Sequence, residues 1–139
     1  MKVNYPKEAI ELLTQLVGGR EENAKLLAAA GFPELTLIYD SLNGNESIIP
    51  FLTSRKEFIL ASFLTSVLFQ DKKAFDFLMK QKAPQWAATA NAVNKDKNAS
   101  QWLKKNNFSH YSKLADAILK KMEDDEGTGF EFLYKGPYS

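Results

Sequence analysis

Cysteine is missing from this chain of 139 residues. Disulfides, thiolate metal sites and a cysteine nucleophile are therefore excluded. Histidine occurs once, as His110, and arginine only as Arg20 and Arg55. A metal site needs several ligands and a general base needs a positioned partner, and no spacing around His110 supplies either. Scarce arginine weakens any expectation of base-edge or phosphate readout. No run approaches the roughly 18–20 apolar residues that span a bilayer. The richest stretch, Phe58–Phe69, is interrupted by Ser62, Thr65 and Ser66. The start, MKVNYPKEAIELL, turns amphipathic at once and lacks the long apolar core of a signal peptide. A cytoplasmic protein with no membrane partner is the expectation.

No cofactor is expected either. Gly18-Gly19 lacks a following Lys-Ser/Thr, so it is no phosphate loop, and Gly127 and Gly129 stand near the C-terminus. Acidic pairs such as Glu8/Glu11, Glu21/Glu22 and Asp124/Asp125 fall in amphipathic or terminal segments. They read as solvent-facing charges, with glutamates suited to first helical turns. Asn45, Asn98 and Asn107 open glycosylation sequons that have no use without export.

What is present is a repeat. The short segments Asn23–Gly31, Ser47–Lys56, Lys73–Lys82 and Asn98–Asn107 align, with Leu26-Leu27, Phe51-Leu52, Phe77-Leu78 and Trp102-Leu103 recurring at steps of 25, 26 and 25 residues. Fixed-period self-similarity marks stacked supersecondary units. A longer apolar pattern precedes each. Ala9, Ile10, Leu12, Leu13, Leu16 and Val17 lie on one helical stripe after Pro6. Leu35, Leu37, Ile38 and Leu42 follow Phe32-Pro33, and 57–69 is apolar nearly all round, which puts it in the middle. An alanine-rich helix is expected over 85–94 and a last long one over 109–123. Gly18-Gly19, Gly31 and Asn43-Gly44 end helices, while Ser47, Asp71 and Asp96 start them as N-caps.

These elements predict an all-α fold. Residues 1–123 form a stack of about four helix–turn–helix repeats, and 124–139 form an acidic, aromatic tail. In that tail Phe130, Phe132 and Tyr134 alternate with Glu131, Leu133 and Lys135, a period-two pattern with one apolar face. It either covers the end of the stack or docks on another chain, a homodimer included.

The short segments resemble the second helix of ankyrin repeats, where leucines are followed by Gly-Ala. Leu26-Leu27-Ala28-Ala29-Ala30-Gly31-Phe32 and Phe77-Leu78-Met79-Lys80-Gln81-Lys82-Ala83 approximate that pattern. The first-helix Thr-Pro-Leu-His is absent, and the period of 25 falls short of the usual value of about 33. The resemblance thus implies a curved α-solenoid without β-hairpin fingers, in a family whose habit is binding other proteins.

Charge is uneven. Residues 70–121 carry eleven bases and four acids, and 122–139 carry one base and five acids. The lead expectation is a non-enzymatic protein–protein interaction module. Its binding face lies on the long helices and their turns, at Tyr39, Asp40, Lys72, Trp86 and Lys97. The alternative is a nucleic-acid binder using a basic patch at Lys80, Lys104 and Lys105. Trp102, aligned with Phe77, is expected inside.

Overall fold

The computed structural model describes residues 2–125, and these contain nine α-helices and no strand. Five belong to the long series: α1 (Lys7–Val17), α3 (Thr36–Leu42), α5 (Phe58–Phe69), α7 (Pro84–Val93) and α9 (Ser109–Asp125). Four belong to the short series: α2 (Asn23–Ala29), α4 (Ile48–Ser54), α6 (Lys72–Lys80) and α8 (Lys97–Lys105). A 3₁₀ turn, Pro33–Leu35, leads into α3. The all-α expectation holds, with each boundary close to where the sequence places it. The aromatic segment Phe130–Tyr134 lies outside the described residues.

The turns explain this regularity. Backbone φ is positive at Gly19, Gly44, Gln70 and Lys95 after the long helices, and at Gly31, Lys56, Lys82 and Asn107 after the short ones. Both sets are spaced by 25, 26 and 25 residues. After each short helix the same bond closes the turn. The amides of Phe32, Glu57, Ala83 and Phe108 donate to the carbonyls of Leu27, Leu52, Leu78 and Leu103 at 2.9, 2.9, 3.0 and 2.8 Å. That is the i+5 bond of a Schellman cap, which needs a left-handed residue between donor and acceptor. The four leucines are also buried. One residue per unit therefore fills the core with its side chain and stops its helix with its carbonyl.

N-caps follow the sequence in two of three places. Asp71 accepts from the Lys73 amide at 2.8 Å, and Asp96 accepts from those of Asn98 and Ala99 at 2.9 and 3.4 Å. Ser47 makes no side-chain cap. Asn45 takes over, its Oδ1 accepting from the Ser47 amide at 3.0 Å and from its hydroxyl at 2.6 Å. An asparagine two residues earlier forms this Asx turn first, and the serine hydroxyl is spent on it.

The long helices all run the same way. Trp86 near the start of α7 meets Tyr111 near the start of α9 at 5.2 Å, and Lys95 just beyond α7 pairs with Glu123 at 3.5 Å. Tyr39 near the end of α3 lies under Lys121, and Asn94 reaches the Ser66 carbonyl of α5. Neighbours in this series touch in turn from α1 to α9, while the short helices pack on the long ones. The series then closes, since α9 also packs on α1 and α3. An open solenoid keeps its ends apart because each unit touches only the next. Here the two terminal helices cover each other.

Trp86 sits where this closure is made, and the structure corrects its placing on a binding face. Its indole is fully buried and its Nε1–H donates to the Val3 carbonyl at 2.9 Å. Phe63, Tyr111 and Tyr5 surround it at ring distances of 4.9, 5.2 and 6.0 Å. Beside it Gln85 donates to Asn4 Oδ1 at 2.9 Å, and the Tyr5 hydroxyl donates to Glu34 at 2.9 Å. A buried indole N–H needs an acceptor. The segment ahead of α1 supplies it, lashing the N-terminus across α7.

Two substitutions test this arrangement. Trp86→Ala is expected to cost about 3–5 kcal/mol, measured as the shift of the urea midpoint at constant slope; a loss below about 1 kcal/mol contradicts the anchoring role. Lys82→Gly is expected to stabilise, because a left-handed non-glycine residue costs about 1–2 kcal/mol and glycine's extra unfolded entropy returns only part of that. The net gain, about 0.5 kcal/mol, is read in the same melts.

Candidate functional site

The parallel long helices give the molecule two edges. One carries the ends of the long helices and the starts of the short ones, and Tyr39, Asp40, Lys72 and Lys97 all stand along it. Tyr39 is half-buried, with its hydroxyl 3.3 Å from Glu21 and the Lys121 ammonium 5.4 Å from its ring centre. Asp40, Lys72 and Lys97 are exposed. Partial desolvation pushes the Asp40 carboxyl above its ordinary value. Trp86, the fifth expected member, lies at the far end of α7 and inside, so it contributes nothing to this edge.

The opposite edge holds the ends of the short helices, with Lys80, Lys104 and Lys105 exposed beside Arg55, Lys56 and Lys82. Cations there complement the negative ends of α4, α6 and α8. His110 is at the same edge, since α9 starts there beside α1. Burial and the nearby Lys7 hold its imidazole below the ordinary value, while Glu11 and Glu8 pull the other way. Among the described residues no three metal-ligating side chains come together, and no helix is long and apolar enough to cross a membrane.

The outer face of the short helices is different. Three of the four show the neighbour of the buried leucine to solvent, with Leu26 51%, Phe51 43% and Trp102 37% exposed. Phe77 is half-buried and meets the exposed Phe58 at 6.4 Å, and Met79 on the same helix is 50% exposed. Trp102 is thus outside, contrary to the expectation from its alignment with Phe77. Its ring stacks on Phe108 at 6.0 Å and lines a groove together with Phe75 and Met79 of α6. The Arg55 guanidinium covers Phe51 from 5.0 Å. Between α6 and α8 this apolar column sinks into a groove of about 300 Å³, walled by Phe75, Met79 and Trp102 and floored by Ala87 and Ala88.

No family model matches the chain. Nothing among curated proteins or solved structures matches it either.

The surface missed in the sequence had a signal there. In Leu26-Leu27 and its three counterparts both residues are apolar, yet a two-turn helix lying on one side of a layer of longer helices buries only one stripe. Adjacent residues point about 100° apart, so one of each pair faces away from the core.

One titration checks the local electrostatics. The ring proton signal of the single histidine is expected to titrate below the ordinary value of about 6.5, and Lys7→Gln to raise it. Folding lowers this group's affinity for protons, so its contribution to stability is full above the unfolded pKa. It is lost as pH falls through the window between the two values. A value at or above the ordinary one contradicts the environment described.

Proposed function

We propose that the chain is a non-enzymatic protein-binding module, built from one helix–turn–helix unit used four times, whose partner docks on the outer face of the short helices. One observation carries this reading: large apolar side chains recur in the open at equivalent places, Leu26, Phe51 and Trp102, with Met79 beside them. Met79 and Trp102 come together at one groove, and exposed apolar surface gathered in this way supports an interaction surface. Tryptophan is among the residue types enriched at binding hot spots. The charged edge at Lys72 and Lys97 flanks this face at the starts of α6 and α8. In this reading it is a polar rim and no longer the centre.

A second reading, nucleic-acid binding, has one observation in its favour. Trp102 is open, and Lys104 and Lys105 follow it on the same helix. Stacking of bases on an aromatic side chain between cations needs that combination.

Affinity capture from source cells with the wild type, Met79→Asp and Trp102→Ala separates these outcomes. Both variants are expected to lose the captured protein by about tenfold or more. Met79→Asp should change stability by under about 1 kcal/mol, while Trp102→Ala also loses its stacking on Phe108 and is compared at matched folded fraction. Undiminished capture by both variants contradicts the docking face. Affinity for a single-stranded oligonucleotide that falls linearly with salt on logarithmic axes selects the second reading.

A further inference from the structure

Where α5 ends, α6 begins and α7 ends, the molecule holds a second cavity, of about 260 Å³. It opens on the edge that carries Lys72 and Lys97. It is distinct from the groove between α6 and α8, although Phe75 and Asn91 wall both. Ser66 of α5 lines it and is only 3% exposed. Among the described residues its hydroxyl is the one buried side-chain polar group without a hydrogen-bond partner. Neighbouring hydroxyls find one within their own helix. Those of Thr65 and Thr89 donate to carbonyls four residues back, at 2.8 and 2.6 Å. A buried hydroxyl left unpaired costs stability, and a bound partner removes that cost.

The rest of the lining narrows the chemistry. Gln70, Asn91 and Asn94 bring three carboxamides, each with an acceptor oxygen and two donor hydrogens. Only Asn94 is engaged, donating to the Ser66 carbonyl at the long distance of 3.5 Å. Asp71 and Lys72 add one charge of each sign. Asp71 spends an oxygen on the Lys73 amide at 2.8 Å, as the cap of α6. A carboxylate beside an ammonium suits neither a free anion nor a metal cation, since one of the two repels either. Pockets for drug-sized ligands run to about 300–1,000 Å³ and are mainly apolar. This one is smaller, and Phe75 is the apolar exception among its lining residues. A sugar fits that description. Each of its hydroxyls donates and accepts, so a vicinal pair meets both ends of one carboxamide. Its C–H face has an aromatic ring to pack on.

We propose that this cavity binds a neutral, polyhydroxylated small molecule of monosaccharide size. The Ser66 hydroxyl and the carboxamides of Gln70, Asn91 and Asn94 hold its hydroxyls, and Phe75 meets its apolar face. The site stands whether or not the outer face of the short helices docks a protein.

Nitrogen–proton spectra of the full-length chain, titrated with D-glucose, D-galactose and D-mannose, test this. At least one sugar is expected to give saturable shifts in the side-chain amides of Gln70, Asn91 and Asn94. Glycine and sodium acetate, as small charged probes, are expected to leave those signals in place. Two variants separate binding from folding. Ser66→Ala removes the unpaired hydroxyl, and Gln70→Gly removes a carboxamide at a position whose φ is +52°, where glycine is at ease. Both are expected to melt no lower than the wild type and to bind the sugar about three- to tenfold more weakly. Absence of saturable shifts with all three sugars overturns the proposal. So do saturable shifts with the charged probes in place of the sugars. Sugar affinity unchanged in Ser66→Ala, or a fall in its melting temperature, also overturns it, because the hydroxyl then serves the fold alone.

Discussion

A single hydrogen bond, from the indole of Trp86 to the carbonyl of Val3, marks the constraint on which the rest of the molecule depends. A tryptophan has no place in a dry core unless its N–H is answered. Here the answer comes from the other end of the chain, 83 residues away. Phe63, Tyr111 and Tyr5 then pack edge-on around the ring, so α5, α7, α9 and the N-terminal segment share one aromatic centre. Contacts this distant in sequence order many residues at once, and that entropy is recovered only by dense burial. Tyr5 and Tyr111 are buried enough that desolvation drives both phenols well above their ordinary values, which keeps them neutral.

Closure decides where the chain is able to meet another molecule. A stack of parallel long helices with free ends exposes an apolar face at each end and needs caps. With α9 packed on α1, each end caps the other, and the inner faces of the long helices are consumed in the core. Outer helices of seven to nine residues remain, each anchored by one buried leucine. Such helices are too short to be stable alone. Their second apolar residue therefore adds little to folding, and an exposed row of them is better understood through what it touches.

Much of the fold was legible because the signals are local. Left-handed turns at Gly19, Gly31 and Gly44 announce themselves as glycine, and Asp71 and Asp96 announce their caps. At Lys56, Lys82 and Lys95 the same backbone is occupied by lysine, and only the 25-residue alignment with glycine points there. Two features escaped sequence reasoning for a common reason. The burial of Trp86 and the meeting of α1 with α9 rest on contacts between segments far apart in the chain, and no window of residues contains them. Trp86 and Trp102 look alike in sequence, each near lysines and alanines, yet one is the centre of the core and the other walls a groove.

Native-state hydrogen exchange tests the closed arrangement most directly. If α1 and α9 cover each other and Trp86 ties the N-terminus to α7, the slowest amides of α1, α7 and α9 open only in global unfolding. They then share one free energy and one denaturant dependence. An open array behaves otherwise, its terminal units opening at lower free energy than its middle. Equal protection in the first and last helices is the predicted result. Protection that falls away from α5 toward either end contradicts it.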